Sequence, residues 1–363
     1  MTIRAGSPEI GDEEIRAATE VLRSGFLVQA ARVREFERRV AAYLGVEHAV
    51  AVSSGTAALH LAVLALGIGG GDEVIVPDYT FPACANVVLR AGAVPVLVDV
   101  SLSTFNVDVA ALERAWTPRA KAIMPVHLFG LSADMDPVLA FAESHGLRVI
   151  EDAACALGAT YRGRKCGAMG DLACFSFHPR KVITTGEGGM VTTNDAALAE
   201  RVACLRNHGQ VVEDGRVRFV EAGLNYRMTD IQGAVGVAQM DRLDGILARR
   251  GALAARYHAA LDGVRGVTRP VVPDGSSSVW QSYVVLLDDG IDRSALQARL
   301  RERGIETTIG TYAVSAQPHY AGAGRPLPNA LRAQERSLSL PMHTRLADAD
   351  VDAVAAALRE ILA

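Results

Sequence analysis

The chain is expected to fold as an α/β protein. A large domain would carry a mainly parallel sheet covered by helices on both faces, followed by a smaller C-terminal α+β domain. Three observations lead there. Between His48 and Thr193, short apolar runs alternate with segments long enough for a crossover helix, which is the pattern of a parallel sheet buried on both sides. Past Arg250 that alternation gives way to a helix, a strand and two further helices. A chain of 363 residues, 50% of them apolar, can bury one large core with a second unit attached. The division is placed between 1–245 and 246–363.

Taken in order, an amphipathic helix is predicted around Asp12 to Ser24 and a second over Ala30 to Leu44. The apolar strand His48 to Val52 runs into Ser53-Ser54-Gly55-Thr56, and a helix over Ala57 to Leu66 stops at Gly67. A strand ending on small residues at a helix N-terminus makes an anion cup, because free backbone N–H groups and the helix dipole converge there. Ordinary capping by Ser54 or Thr56 explains the same residues. Strands Glu73 to Pro77, Val94 to Val100, Lys121 to Val126 and Leu147 to Glu151 then alternate with helices Phe81 to Ala91, Val107 to Ala115 and Met135 to His145. Strands Leu172 to Phe177 and Met190 to Thr193 lead into a helix over Ala196 to Asn207. An irregular charged segment reaches Tyr226, and a long helix starts near Thr229-Asp230. The last third reads as helix Ala252 to Leu261, strand Trp280 to Leu287, helix Arg293 to Arg303 and closing helix Ala349 to Leu362, with Pro273 to Ser278 as a loop.

Composition removes several functions. A net charge of -4 gives no basic field for sequence-independent nucleic-acid binding. The N-terminus has no basic segment leading into an apolar run, and no stretch approaches 18 apolar residues, so neither a signal peptide nor a membrane span is expected and the chain is placed in the cytoplasm. Five cysteines (Cys84, Cys155, Cys166, Cys174, Cys204) without a CxxC pair fit reduced thiols better than disulfides or zinc. His127 and His178 are read as packed or hydrogen-bonding residues, and no metal site is expected. A nicotinamide enzyme would need GxGxxG between the first strand and its helix. The nearest run, Gly67 to Gly71, follows a helix and continues into Asp72.

The stretch that organises these elements is FSFHPRKVITTGEGG, Phe175 to Gly189. It sets Lys181 between a strand-like run and three glycines, where partly apolar surroundings would depress an ammonium pKa and free a nucleophilic amine. In parallel sheets ligands bind beyond the carboxyl ends of strands, and Gly55-Thr56, Thr80-Phe81 and Asp152 all fall at such ends. Pyridoxal phosphate needs an amine for its aldehyde, an acid for its ring nitrogen, an aromatic face and a phosphate cup. Lys181, Asp152 and Phe81 match the first three, and Gly55, Thr56 and Ser176 the fourth. Each residue alone has an ordinary structural explanation; their order on this topology is what points to the cofactor.

The blocks SSGTAALHLAV, EVIVPDYTFPACANVV, VIEDAACALGA, FSFHPRKVITTGEGGMVTTND, LRNHG and GLNYRMTDIQGAVG resemble the DegT/DnrJ/StrS aminotransferases, sugar-modifying members of the fold-type I pyridoxal-phosphate enzymes. They span most of the first 240 residues. The resemblance implies Lys181 as the cofactor-bound lysine, Asp152 as the ring-nitrogen partner, Phe81 as the stacking aromatic, and Gly55, Thr56 and Ser176 at the phosphate. It also implies that Asn225 reaches the phosphate of a neighbouring subunit, so that a homodimer shares its active sites. One position departs from the family: Cys155 stands where Gln or His usually faces the cofactor's O3′. The family's dehydratase branch replaces the lysine with His, and this chain keeps Lys181.

The expected activity is transfer of an amino group from glutamate or glutamine to a 4- or 3-keto-6-deoxysugar nucleotide, as in antibiotic or surface-polysaccharide sugar biosynthesis. The alternative acceptor is a keto-cyclitol of the scyllo-inosose type, and a less favoured reading is a pyridoxal-phosphate protein that does not transaminate. Substrate contacts are expected on the Gly310 to Tyr320 loop, with Tyr312 and His319, and at Arg227.

Overall fold

The computed structural model describes residues 2–320 and 327–363. Seven strands form the large sheet: β1 (His48–Val52), β2 (Glu73–Pro77), β3 (Val94–Val98), β4 (Ala120–Ile123), β5 (Arg148–Asp152), β6 (Leu172–Ser176) and β7 (Gly189–Thr193). Their order is β1-β7-β6-β5-β4-β2-β3. β7 pairs antiparallel with both neighbours, and every other pairing is parallel. Six strands therefore point the same way and bring six carboxyl ends to one rim.

Two helix layers cover the sheet. On one face Gly55–Ala65, Ala83–Arg90 and Ala196–Leu205 bury a core around Leu61, Val63, Val76, Ile150 and Val202. On the other, Ala31–Leu44 and Asp230–Asp241 pack Phe36, Val40 and Val237 against Phe175, Phe177 and Met190. Fully burying one such side chain is worth about 1.5–3 kcal/mol, so these layers hold the rim rigidly.

The C-terminal region has its own antiparallel sheet, with strands ordered Val267–Thr268, Tyr283–Leu287, Ser337–Leu340 and Thr308–Ile309. Helices Leu243–Ala260, Arg293–Glu302 and Asp348–Leu362 close a separate core around Leu253, Tyr257, Leu338 and Val354. The helix Leu243–Ala260 joins the two units. Its first turn, at Leu243 and Ile246, packs in the large core, and from Leu253 onward it packs in the small one. We propose the unit boundary at this helix, as the sequence reading placed it. The N-terminal residues cross back: Ile3 donates its N–H to Gly304 O at 2.8 Å and accepts from Glu306 N at 2.9 Å.

Several predicted elements differ. The helix expected from Val107 to Ala115 is reduced to two short turns, Val109–Ala111 and Leu112–Ala115. Trp116 is extended and Thr117-Pro118 comes next, where proline disfavours the helical conformation of its predecessor. The "irregular" segment before Tyr226 contains a hairpin, Gln210–Glu213 with Arg216–Phe219. Its turn, Asp214-Gly215, has φ of 52° and 71°, the left-handed pair that Asp-Gly adopts in tight hairpins. The helix expected from Ala252 starts at Leu243. Helix Pro328–Arg336 and the strand after it were not anticipated.

Candidate active site

The site is built just past the carboxyl ends of the parallel strands. After β6 the chain turns and is closed at its base. Phe177 donates its N–H to Gly188 O at 2.9 Å, Thr185 to Phe177 O at 3.0 Å, and Lys181 to His178 O at 2.8 Å. This turn carries Lys181, half-buried, whose Nζ donates to Cys155 Sγ at 3.0 Å. Cys155 lies three residues beyond Asp152, so the lysine amine is delivered to the neighbouring strand end.

The sequence reading expected this amine to be depressed. Burial does pull it down, but Cys155 and the Asp152 carboxylate both face it, and their attraction leaves the amine raised above its ordinary value despite Arg180 nearby. The apolar surroundings are present; the contacts with Cys155 and Asp152 on one side outweigh them.

Asp152 ends β5 and is buried. Its backbone N–H donates to Pro125 O at 2.9 Å and its carbonyl accepts from His127 N at 3.0 Å. Oδ1 accepts from Ala154 N at 3.0 Å and Oδ2 from Cys84 Sγ at 2.9 Å. Behind it, Glu151 is fully buried and accepts from Gly167 N, Met169 N and Gly170 N at 2.9, 2.7 and 2.7 Å. Its Oε2 also lies 2.9 Å from His127 Nε2. Ala133 N–H donates to His127 Nδ1 at 3.0 Å, so the ring proton sits on Nε2 and points at the carboxylate. Burial alone would raise the Glu151 carboxyl; the His127 ring and the glycine N–H groups reverse this and hold it below the usual carboxylate range. His127 and His178 thus serve packing or hydrogen bonding, His178 through its Nδ1, which accepts from Arg180 N at 3.2 Å.

The anion cup forms where β1 meets its helix. Ser54 caps that helix, its Oγ accepting from Ala57 N at 3.1 Å. Gly55 and Thr56 occupy the first turn, whose N–H groups have no intrahelical acceptor. A Cβ on Gly55 would lie 2.7 Å from Ser176 Cβ, so only glycine lets the cup close on the end of β6.

Phe81 comes after the short strand Tyr79–Thr80 and precedes the helix Ala83–Arg90, rather than opening it as predicted. It is 62% exposed. Thr80 pairs antiparallel with Tyr312, which is 40% exposed, so Tyr312 is paired with the residue that immediately precedes Phe81. The ladder is pinned by Asp78, whose two carboxylate oxygens accept from Ser315 N and Ser315 Oγ, each at 2.7 Å. Thr311 N–H adds a bond to Tyr79 Oη at 3.1 Å.

The remaining predicted residues are placed separately. Arg227 bridges Val52 through its backbone and donates from Nη1 to Asn207 Oδ1 at 2.6 Å. Asn225 is exposed and bridges Asn207. His319 is exposed beside the ring of Tyr320. Cys84, Glu151 and His127 carry contacts that the sequence reading missed. Cys84 lies three residues after Phe81, and nothing local announces a partner at position 152.

The sequence of residues 8–359 matches the model of the DegT/DnrJ/EryC1/StrS aminotransferase family. The chain is 45% identical to the GDP-perosamine synthase of Caulobacter vibrioides, over 99% of this chain and 98% of that one. It is 40% identical to DesV of S. venezuelae, solved with a ketimine intermediate, with a TM-score of 0.91 over 96% of this chain and 94% of that one. DesI, solved in the presence of its TDP-sugar product, is 34% identical with a TM-score of 0.92, covering 99% and 93%.

Proposed function

The chain belongs to the DegT/DnrJ/EryC1/StrS aminotransferase family and is a pyridoxal-phosphate-dependent aminotransferase of fold-type I, and we propose that it aminates the ketone of a nucleotide-linked deoxysugar with glutamate or glutamine as donor. The observation that carries this reading is the common rim. A lysine amine, a buried carboxylate, an exposed aromatic and a helix N-terminal cup stand past the ends of four parallel strands, in a chain whose relatives include one named for a GDP-linked sugar and one solved with a TDP-sugar.

The residues present fit the cofactor. The Gly55–Ser176 approach, closer than any side chain allows, opens backbone N–H groups and a hydroxyl toward a phosphate. Bound pyridoxal phosphate supplies an aldehyde that takes up the amino group and a ring that accepts electrons from the substrate carbon. Asp152, a buried carboxylate fixed by Ala154 N and Cys84 Sγ, would hold a proton on the ring nitrogen. Phe81 would supply an aromatic face for the ring. Lys181 would hold the cofactor's aldehyde, and its amine would serve to move a proton at the substrate carbon. Cys155 orients that amine. Tyr312, paired with Thr80 beside Phe81 in the chain, and His319 would contact the acceptor in this reading, and Arg227 has the guanidinium for a diphosphate.

A second copy of the chain completes the phosphate site in this reading, with Asn225 reaching across a homodimer. Large exposed apolar side chains support the dimer: Phe26 at 74%, Val212 at 67% and Phe219 at 68%, surface that an isolated subunit would leave wet.

The test incubates purified protein and glutamate or glutamine with keto-sugar nucleotides and keto-inositols, following the amino product by mass. An amine on a nucleotide sugar supports the proposal. Amination of a keto-inositol alone would move the chain to the cyclitol reading. A donor half-reaction with no product from any nucleotide sugar would overturn the acceptor assignment.

A further inference from the structure

A buried carboxylate needs a donor on each oxygen to remain both ionised and fixed in direction. Asp152 Oδ1 has the N–H of Ala154, and Oδ2 has the Cys84 thiol at 2.9 Å. A carboxylate can only accept, so the thiol hydrogen must point at it. Cys84 is fully buried, and burial together with the neighbouring carboxylate pushes its thiol well above the ordinary range, so the hydrogen stays in place across working pH. The same sulfur lies 3.6 Å from Thr80 Oγ1. Cys84 sits in the first turn of the Ala83–Arg90 helix, just past Phe81. No group of three or more His, Cys, Asp or Glu among the described residues could hold a metal ion, so this thiol is not part of one.

We propose that Cys84 is a positioning residue: it fixes the direction of the Asp152 carboxylate and ties it to the segment carrying Phe81. The inference rests on the reading of Asp152 as partner of the cofactor's ring nitrogen. Two contacts to one ring, one at its edge and one on its face, then move as a unit. A thiol is also a weak donor, so it directs the carboxylate while competing little with the ring proton.

The test compares Cys84→Thr with Cys84→Val, which match in shape and differ in the hydroxyl. Valine should lower kcat about tenfold while donor KM stays within about twofold, the pattern of an interaction lost in the transition state. It should also move the acid limb of the kcat–pH profile upward, because a donor favours the ionised carboxylate. Threonine should restore both. Indistinguishable Thr and Val variants, with the parent's pH profile, overturn the proposal. So does a Val variant altered only in melting temperature. An Asp152→Asn control separates the two readings: if it keeps parental activity, the role of Asp152 fails rather than that of Cys84.

Discussion

The proposed cofactor side and the proposed acceptor side of this site are built by different means. On the cofactor side, Gly55, Asp152, Ser176 and Lys181 each stand at or just past a strand of one sheet, within a few residues of its carboxyl end. The rim is fixed by parallel pairing and two buried cores, so each residue's position depends on its distance past a strand. On the proposed acceptor side, Tyr312 is held by a two-residue ladder to Thr80, 232 positions away and next to Phe81 in the chain. That ladder depends on Asp78 accepting from Ser315. The first arrangement is a property of the sheet, the second of one long-range docking contact.

Substitutions can break this comparison. The largest effect belongs to Lys181→Ala, expected to lower amine transfer by at least about 10³-fold, as loss of a covalent nucleophile does. The circular dichroism spectrum should stay unchanged, and near-parental turnover would remove the premise of the site. Asp152→Asn should lower kcat about 10²-fold with the donor half-reaction followed by absorbance, since the ring nitrogen loses its charged partner. Gly55→Ala should weaken pyridoxal phosphate binding by roughly tenfold and cost about 1–3 kcal/mol in melting, because its methyl group meets Ser176. Equal cofactor affinity in the variant would show that the cup does not hold the phosphate.

Two smaller changes sharpen the contrast. Ser315→Ala should raise acceptor KM about threefold by loosening the ladder, with the cofactor's absorbance unchanged; a spectral change would mean that the two sides are not independent. Glu151 gives the mildest test, read as pH-dependent melting. Its carboxyl is lowered in the folded chain, so its stabilisation is fully present above the ordinary carboxylate pKa and is lost as pH falls through the lowered one. Glu151→Gln should flatten that acid loss, measured as melting temperature from pH 6 down to about 3.

Much of the rim is legible in the sequence, because its signals are local. Apolar runs mark the strands, and the residue after each run is forced to the rim by the parallel topology. Asp214-Gly215 was an available hairpin signal that charge obscured. Other features had no local mark. The helix Ala31–Leu44 starts on Ala30 without a side-chain cap. Its N-terminus is capped by Asp230, which accepts from Ala30 N and Val33 N at 2.9 Å and from Arg32 N at 3.2 Å. The raised Lys181 amine belongs to the same class. Sequence indicated apolar neighbours, and the decisive groups were Cys155 and Asp152, on the adjacent strand end.

By itself the sequence determined the alternating layers, the rim and the residue types that stand on it, because strand period, helix length and backbone freedom at glycine act over a few residues. The tertiary structure alone decided which thiol meets Asp152, what faces Lys181 and how Tyr312 pairs with Thr80. Those contacts join positions 26 to 232 residues apart, and only the packing of buried cores brings such distant segments into contact.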